Sequence, residues 1–121
     1  LGYHNHSGEF QMSGDGSVAY EQLIYRTDIM LELDTFWAFH GMKDPVALMD
    51  RLGDRIGVIH IKDGTVEGHG KPLGMGDAPV KAVYEKAKEM GIPMVVESET
   101  ITPSGLEEAR ICIEYLRSIE K

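Results

Sequence analysis

Cysteine is nearly absent. Cys112 is the only one and sits inside a helical pattern, so the chain can build neither a disulfide framework nor a cysteine metal site. A reducing, cytoplasmic compartment fits that usage. Long apolar runs are missing as well. None approaches the roughly 18 to 20 residues that span a bilayer, and no signal peptide is visible, so no membrane association is expected. Basic residues are few: 12 Lys and Arg stand against 20 Asp and Glu, giving a formal charge of −8. That balance repels phosphate backbones, and nucleic acid is not an expected partner. The first residue is Leu1, already in a strand-like run, which has the look of a chain cut from a longer one.

Apolar material is nevertheless sufficient for one core, with 42% of residues hydrophobic, so residues 1–121 are expected to form a single domain. Four short apolar runs rich in β-branched residues, at 1–4, 29–33, 57–61 and 93–96, have the length and pattern of buried strands. Segments with helical spacing and charged faces lie between and after them, at about 17–26, 45–52, 78–90 and 104–119. Asp44 before Pro45 is a helix start, Gly91 is a helix stop, and Ser104 with Glu107 has the spacing of a capping box. In the last helix Leu106, Ala109, Ile113 and Leu116 share a face, with Cys112 beside them, that is expected to lie on the strands. The order βαβαβαβα means parallel strands joined by right-handed crossovers, an α/β fold whose chemistry gathers at the carboxyl ends of the strands. Four strands cannot close an eight-stranded barrel, so pairing with another copy or with a missing half is expected, against the alternative of a small open sheet.

The polar residues fall where this geometry wants them. His4 to His6, Asp34, His60 to Asp63 and Glu97 to Glu99 each sit at or just after a strand end. Asp34 at the mouth of a buried strand must be solvated, paired or metal-bound, or it caps the next segment. His60 offers an imidazole suited to borderline divalent metals, or a simple hydrogen bond. Alternation puts Lys62 on the same face as His60, where an ammonium either binds a substrate oxygen or forms an ion pair. Glu97 is a loop carboxylate or, if partly buried, a base for a proton next to a carbonyl, and Glu99 shares its phase. His4 and His6 point two imidazoles to one face, for a metal or for substrate. The glycine-rich stretch 64–76 is too irregular for a phosphate-binding loop and predicts a long, mobile active-site loop from which His69 or Lys71 reaches substrate. Phe36, Trp37 and Phe39 either wall a sugar pocket or pack in the core.

Several of these segments together resemble the xylose-isomerase-like barrel superfamily, and within it the sugar phosphate isomerase/epimerase group. They are Gly2 to His6 with Glu9 and Phe10, Glu32 to Thr35 with Trp37, Asp44 and Pro45, Asp54 to Ile56 with His60 to Asp63, Leu73 to Asp77, and Val95 to Glu97. The resemblance runs in order across almost the whole chain and corresponds to the last four βα units of a (β/α)8 barrel. It implies one divalent ion, manganese, cobalt, magnesium or zinc, held by Glu, Asp, His and Glu from successive strands. Asp34, His60 and Glu97 match the second, third and fourth of these. His4 stands where the first Glu is expected, so the fourth place goes to His4, to Glu9 or to water. Trp37 stands where the tagatose- and psicose-type epimerases have His, which argues against a simple free ketohexose.

The expected function is therefore a divalent-metal-dependent sugar isomerase or epimerase that transfers a proton next to a carbonyl. Glu97 is its base, Lys62 its electrostatic helper, and His6, Glu9, Trp37 and Lys71 its substrate contacts. The partner is a small sugar or cyclitol, and the assembly a homo-oligomer. An inosose-dehydratase-like lyase begins with the same proton abstraction. A metal-dependent abasic-site endonuclease needs a basic face that a charge of −8 opposes. A sugar-binding fragment without catalysis is the non-enzymatic alternative.

Overall fold

Strands formed by the four apolar runs pair side by side in the order in which they occur. In the computed structural model, which describes residues 1–120, β1 (Gly2–His4), β2 (Met30–Asp34), β3 (Ile56–Ile61) and the late strand β6 (Met94–Val96) make one all-parallel sheet in the order β1-β2-β3-β6. Two short strands between them, β4 (Asp63–Gly64) and β5 (Gly70–Lys71), form a separate antiparallel hairpin. The helices are α1 (Ala19–Arg26), α2 (Thr35–His40), α3 (Pro45–Leu52), α4 (Val80–Met90) and α5 (Gly105–Ile119). Strands added in sequential order through crossovers of one hand leave all helices on one face of the sheet, which is the wall of a barrel rather than a doubly wound sheet. The four-stranded sheet is consistent with part of a barrel.

Alternation then sorts the side chains. Leu31, Leu33, Ile59 and Ile61 point to the helices and are at most 1% exposed, packing with Tyr20, Met49, Val83 and Ala87. The register pairs His4 with Glu32 and Asp34 with His60, so the opposite face carries these polar residues in one patch. At the amino ends of the strands Arg55 closes the layer: its Nε and Nη2 donate to the Ile29 carbonyl and its Nη1 to the Ile24 carbonyl, satisfying carbonyls in the last turn of α1 and just before β2.

The helix starts and stops follow the sequence signals, with two differences. Asp44 caps α3 by accepting from Val46 N and Ala47 N, and Gly91 ends α4 at a left-handed φ of 69°. Ser104 accepts from Glu107 N, but the Glu107 side chain pairs with Arg110 instead of returning to the cap, so the capping box is half made. The face of α5 also differs from the expected one. Glu108, Cys112, Tyr115 and Ile119 turn inward and Leu116 packs on the core as expected, while Leu106 is 84% exposed and Ile113 is 45% exposed. Glu108 causes the rotation, because its carboxylate collects donors from Ser98, Thr100 and Thr102 and is only 1% exposed. A cleft of about 300 Å³ is left between β6 and α5, lined by Val96, Ala109, Cys112, Ile113 and Leu116. This apolar cleft lies away from the polar patch, on the flank where a further βα unit would continue a barrel.

Candidate metal centre

The polar patch is built from strand ends that converge. Asp34 is the last residue of β2, wholly buried, and its two oxygens do different work. Oδ1 accepts from Trp37 N at 2.9 Å and caps α2, while Oδ2 lies 2.9 Å from His4 Nε2. One side chain thus both caps α2 and faces the polar patch. Because a carboxylate only accepts, the His4 nitrogen facing it carries the proton. Asn5 fixes the strand end from the other side, its Oδ1 accepting from Asp34 N at 2.9 Å and its Nδ2 donating to the Asp34 carbonyl at 3.2 Å.

His60 lies beside Asp34 in register, its imidazole between two carboxylates. Nδ1 is 3.1 Å from Glu32 Oε1, and Nε2 is 2.9 Å from Glu97 Oε2. The second contact is close but not aligned as a hydrogen bond, so Nε2 is a buried nitrogen without a hydrogen-bond partner. Lys62, two residues on and 2% exposed, sits 2.8 Å from Glu99 Oε1 and 3.5 Å from Glu97 Oε2. Its ammonium is also 4.9 Å from the Trp37 ring, a cation–π distance. The ion pair and the inward ammonium are both present. Glu32, Asp34, Glu97 and Glu99 together bring four carboxylates against the one ammonium of Lys62, an excess of negative charge that a cation would relieve.

Donor atoms of Asp34, His60 and Glu97 lie within 4.8 Å of one another, as do those of His4, Glu32 and His60. Two ligands on one ion at about 2.0 to 2.2 Å sit roughly 3 to 4.4 Å apart, so the first group needs only a slight contraction. Mixed carboxylate and imidazole donors suit manganese, cobalt, magnesium or zinc. The orphaned Nε2 facing two carboxylates fits such an ion.

The remaining candidates separate. His6 is exposed and stacks on His4 at 5.2 Å, with Trp37 at 5.7 Å from its ring, so His6 and Trp37 flank the centre. Glu9 turns away from it, accepting from Tyr3 Oη at 2.8 Å and His6 N at 3.0 Å. Burial alone would raise its carboxyl pKa, but those hydrogen bonds outweigh it and hold the group below its ordinary range. Phe36 is wholly buried, and Gly64 packs so closely on its ring that a Cβ there would clash at 2.5 Å. Lys71 is exposed on β5 and lines a different cleft with Thr100 and Thr102.

The loop after β3, expected as a long mobile segment, carries the β4–β5 hairpin. Asp63, 1% exposed, accepts from the backbone N–H groups of Gly64, Gly74, Gly76 and Ala78 and ties both ends of the loop to one carboxylate. A Cβ on Gly76 would lie 2.3 Å from Asp63 Oδ1, so only glycine permits that approach. Asp63 is therefore spent on structure and not free for chemistry. Glu32, Asn5 and Glu108 were not singled out from sequence. Glu32 had a signal, its alternation phase with Asp34. The other two act on backbone and hydroxyl groups that no local pattern displays.

Residues 1–119 match the xylose isomerase-like TIM barrel family. The chain belongs to that family. Among solved structures, a sugar phosphate isomerase/epimerase from Parabacteroides distasonis shares 32% identity over 95% of this chain and 44% of its own, with a TM-score of 0.75. A second sugar phosphate isomerase/epimerase from the same organism shares 28% identity over 99% of this chain and 48% of its own, at 0.78. A xylose isomerase domain protein from Planctomyces limnophilus, 20% identical over 96% of this chain and 43% of its own at 0.67, supports the fold alone. No curated protein matches. The chain spans less than half the length of these structural neighbours. The α/β architecture is accordingly a partial xylose isomerase-like barrel, and no described helix is long and apolar enough to cross a membrane.

Proposed function

We propose that this chain carries the metal-binding half of a sugar isomerase or epimerase, with Asp34, His60 and Glu97 as ligands of one divalent ion. The observation that carries the reading is the buried, unpartnered Nε2 of His60 facing Glu97, next to Asp34. Such an ion supplies Lewis-acid polarisation of a carbonyl oxygen. The chain's own residues do the rest. Glu97 takes the proton from the carbon next to the carbonyl and exchanges it with solvent; in an isomerisation it delivers a proton to the neighbouring carbon on the same face, whereas an epimerisation needs a second proton donor on the opposite face. Lys62 donates to a substrate oxygen and opposes the negative charge that develops there. Trp37 and His6 offer ring faces to the apolar side of the sugar or cyclitol. Closure of the barrel over this face calls for four more strands, from another copy or from the remainder of a longer chain.

Among the described residues Glu97 is the candidate base at the centre, because both oxygens of Asp34 are engaged by Trp37 N and His4, and Glu9 is held away by Tyr3 and His6. That favours, as a second reading, an inosose-dehydratase-like elimination, which needs one base and one acid rather than a base on each face. Both readings are tested by incubating the intact protein with manganese and a panel of ketoses and inososes in deuterated water. Isomerisation or epimerisation replaces the proton next to the carbonyl with deuterium and conserves mass otherwise. Elimination gives a conjugated product that has lost water. Glu97→Gln is expected to lower either rate at least about 100-fold. Full activity in that variant rejects Glu97 as the base.

A further inference from the structure

Two groups of donor atoms share His60, and one neutral imidazole cannot ligate an ion in each. A neutral imidazole has one N–H and one lone pair. With Nδ1 at 3.1 Å from Glu32 Oε1, and a carboxylate able only to accept, the proton belongs on Nδ1. The lone pair is then on Nε2, which is the buried atom without a hydrogen-bond partner, 2.9 Å from Glu97 Oε2. The opposite tautomer would set a lone pair against Glu32 and leave a misaligned N–H against Glu97. The group of His4, Glu32 and His60 is therefore not a second ion site.

From this we infer that Glu32 is a positioning residue, which fixes the tautomer and ring orientation of His60 so that Nε2 is presented to the ion held with Asp34 and Glu97. The strand enforces the arrangement. Glu32 precedes Asp34 by two residues in β2 and so shares its face, and the β2–β3 register brings the same face of His60 beside it. The His60 side chain is only 11% exposed, so little solvent reaches its ring to take the place of the Glu32 acceptor. Partners of this kind raise ligand basicity, and removing one typically weakens metal affinity about 10- to 100-fold.

This inference rests on the metal-centre reading above, and one experiment separates the two. Zinc is titrated calorimetrically into the intact wild-type protein and its Glu32→Leu, Glu32→Gln and Asp34→Asn variants, and the zinc-loaded proteins carry nitrogen-15 histidine for NMR. Wild type is expected to bind one zinc with the His60 proton on Nδ1. Glu32→Leu should weaken zinc binding about 10- to 100-fold with an unchanged far-ultraviolet circular dichroism spectrum. Glu32→Gln should restore affinity to within a few-fold, because its amide oxygen still accepts from Nδ1. Wild-type affinity in Glu32→Leu, or a proton on Nε2 in the wild type, overturns the positioning role alone. A loss in Glu32→Gln as complete as that in Asp34→Asn makes Glu32 a ligand and also overturns it. Failure of the wild type to take up zinc removes both this inference and the metal centre.

Discussion

Asn5 holds the end of β2 in place without touching the proposed ion. Its amide pairs with both the N–H and the carbonyl of Asp34, and all these groups are buried. Asn5→Ala removes both of these buried hydrogen bonds, and the expected cost is about 1 to 3 kcal/mol of stability in urea unfolding. An unchanged midpoint would mean that the pair is not formed in solution. At this scale the sequence was informative wherever a side chain stood at a strand boundary. Asp34, His60, Lys62 and Glu97 were all legible because an apolar run ends on or just before each of them. Asn5 was not, since its role depends on the backbone of a strand about thirty residues away. Glu9 looked like a site residue because it is a carboxylate near a strand end. Its partners, Tyr3 and His6 N, form a local turn that composition does not reveal.

Helix α5 and the loop before it behave as one element, joined by Glu108. Burial by itself raises the Glu108 carboxyl pKa, but hydrogen bonds from Ser98, Thr100, Thr102 N and Ile101 N outweigh it and bring the group to about 2, from an ordinary 4.5. A depressed folded value means that the unfolded chain binds more protons in the window between. The stabilisation is then fully present above about pH 4.5 and is lost as the pH falls through about 2. Glu108→Gln should therefore unfold more easily than wild type by a margin that is constant near neutrality and shrinks in acid. Urea titrations at a series of pH values measure it, and a margin that grows in acid contradicts the assignment. The rotated face of α5 was illegible for the same reason: helical spacing favoured Leu106 and Ile113, but hydrogen bonds from the preceding loop turned Glu108 inward. Helix α2 was missed because it is six residues long and rich in aromatic residues of modest helix propensity, although its cap at Asp34 had been seen. The glycine-rich loop looked mobile from its composition, and the single carboxylate of Asp63 that gathers it lies before the glycines.

Across the whole chain, alternation of strands and helices was enough to give a parallel sheet with its chemistry at the carboxyl ends, and the observed strand order makes that sheet a barrel wall. What alternation could not display is how the open inner face is completed. The same face concentrates the negative charge of a molecule already at −8, around one buried ammonium and one unsatisfied imidazole nitrogen. The divalent cation proposed above, held by Asp34, His60 and Glu97, would relieve that arrangement. Manganese binding followed by electron paramagnetic resonance, for wild type against Asp34→Ala and His60→Ala, measures this most directly. The expected result is one ion per complete site in the wild type, with affinity lowered at least about 100-fold in each variant. Absence of manganese, cobalt or zinc binding in the wild type, or binding untouched in both variants, would contradict it.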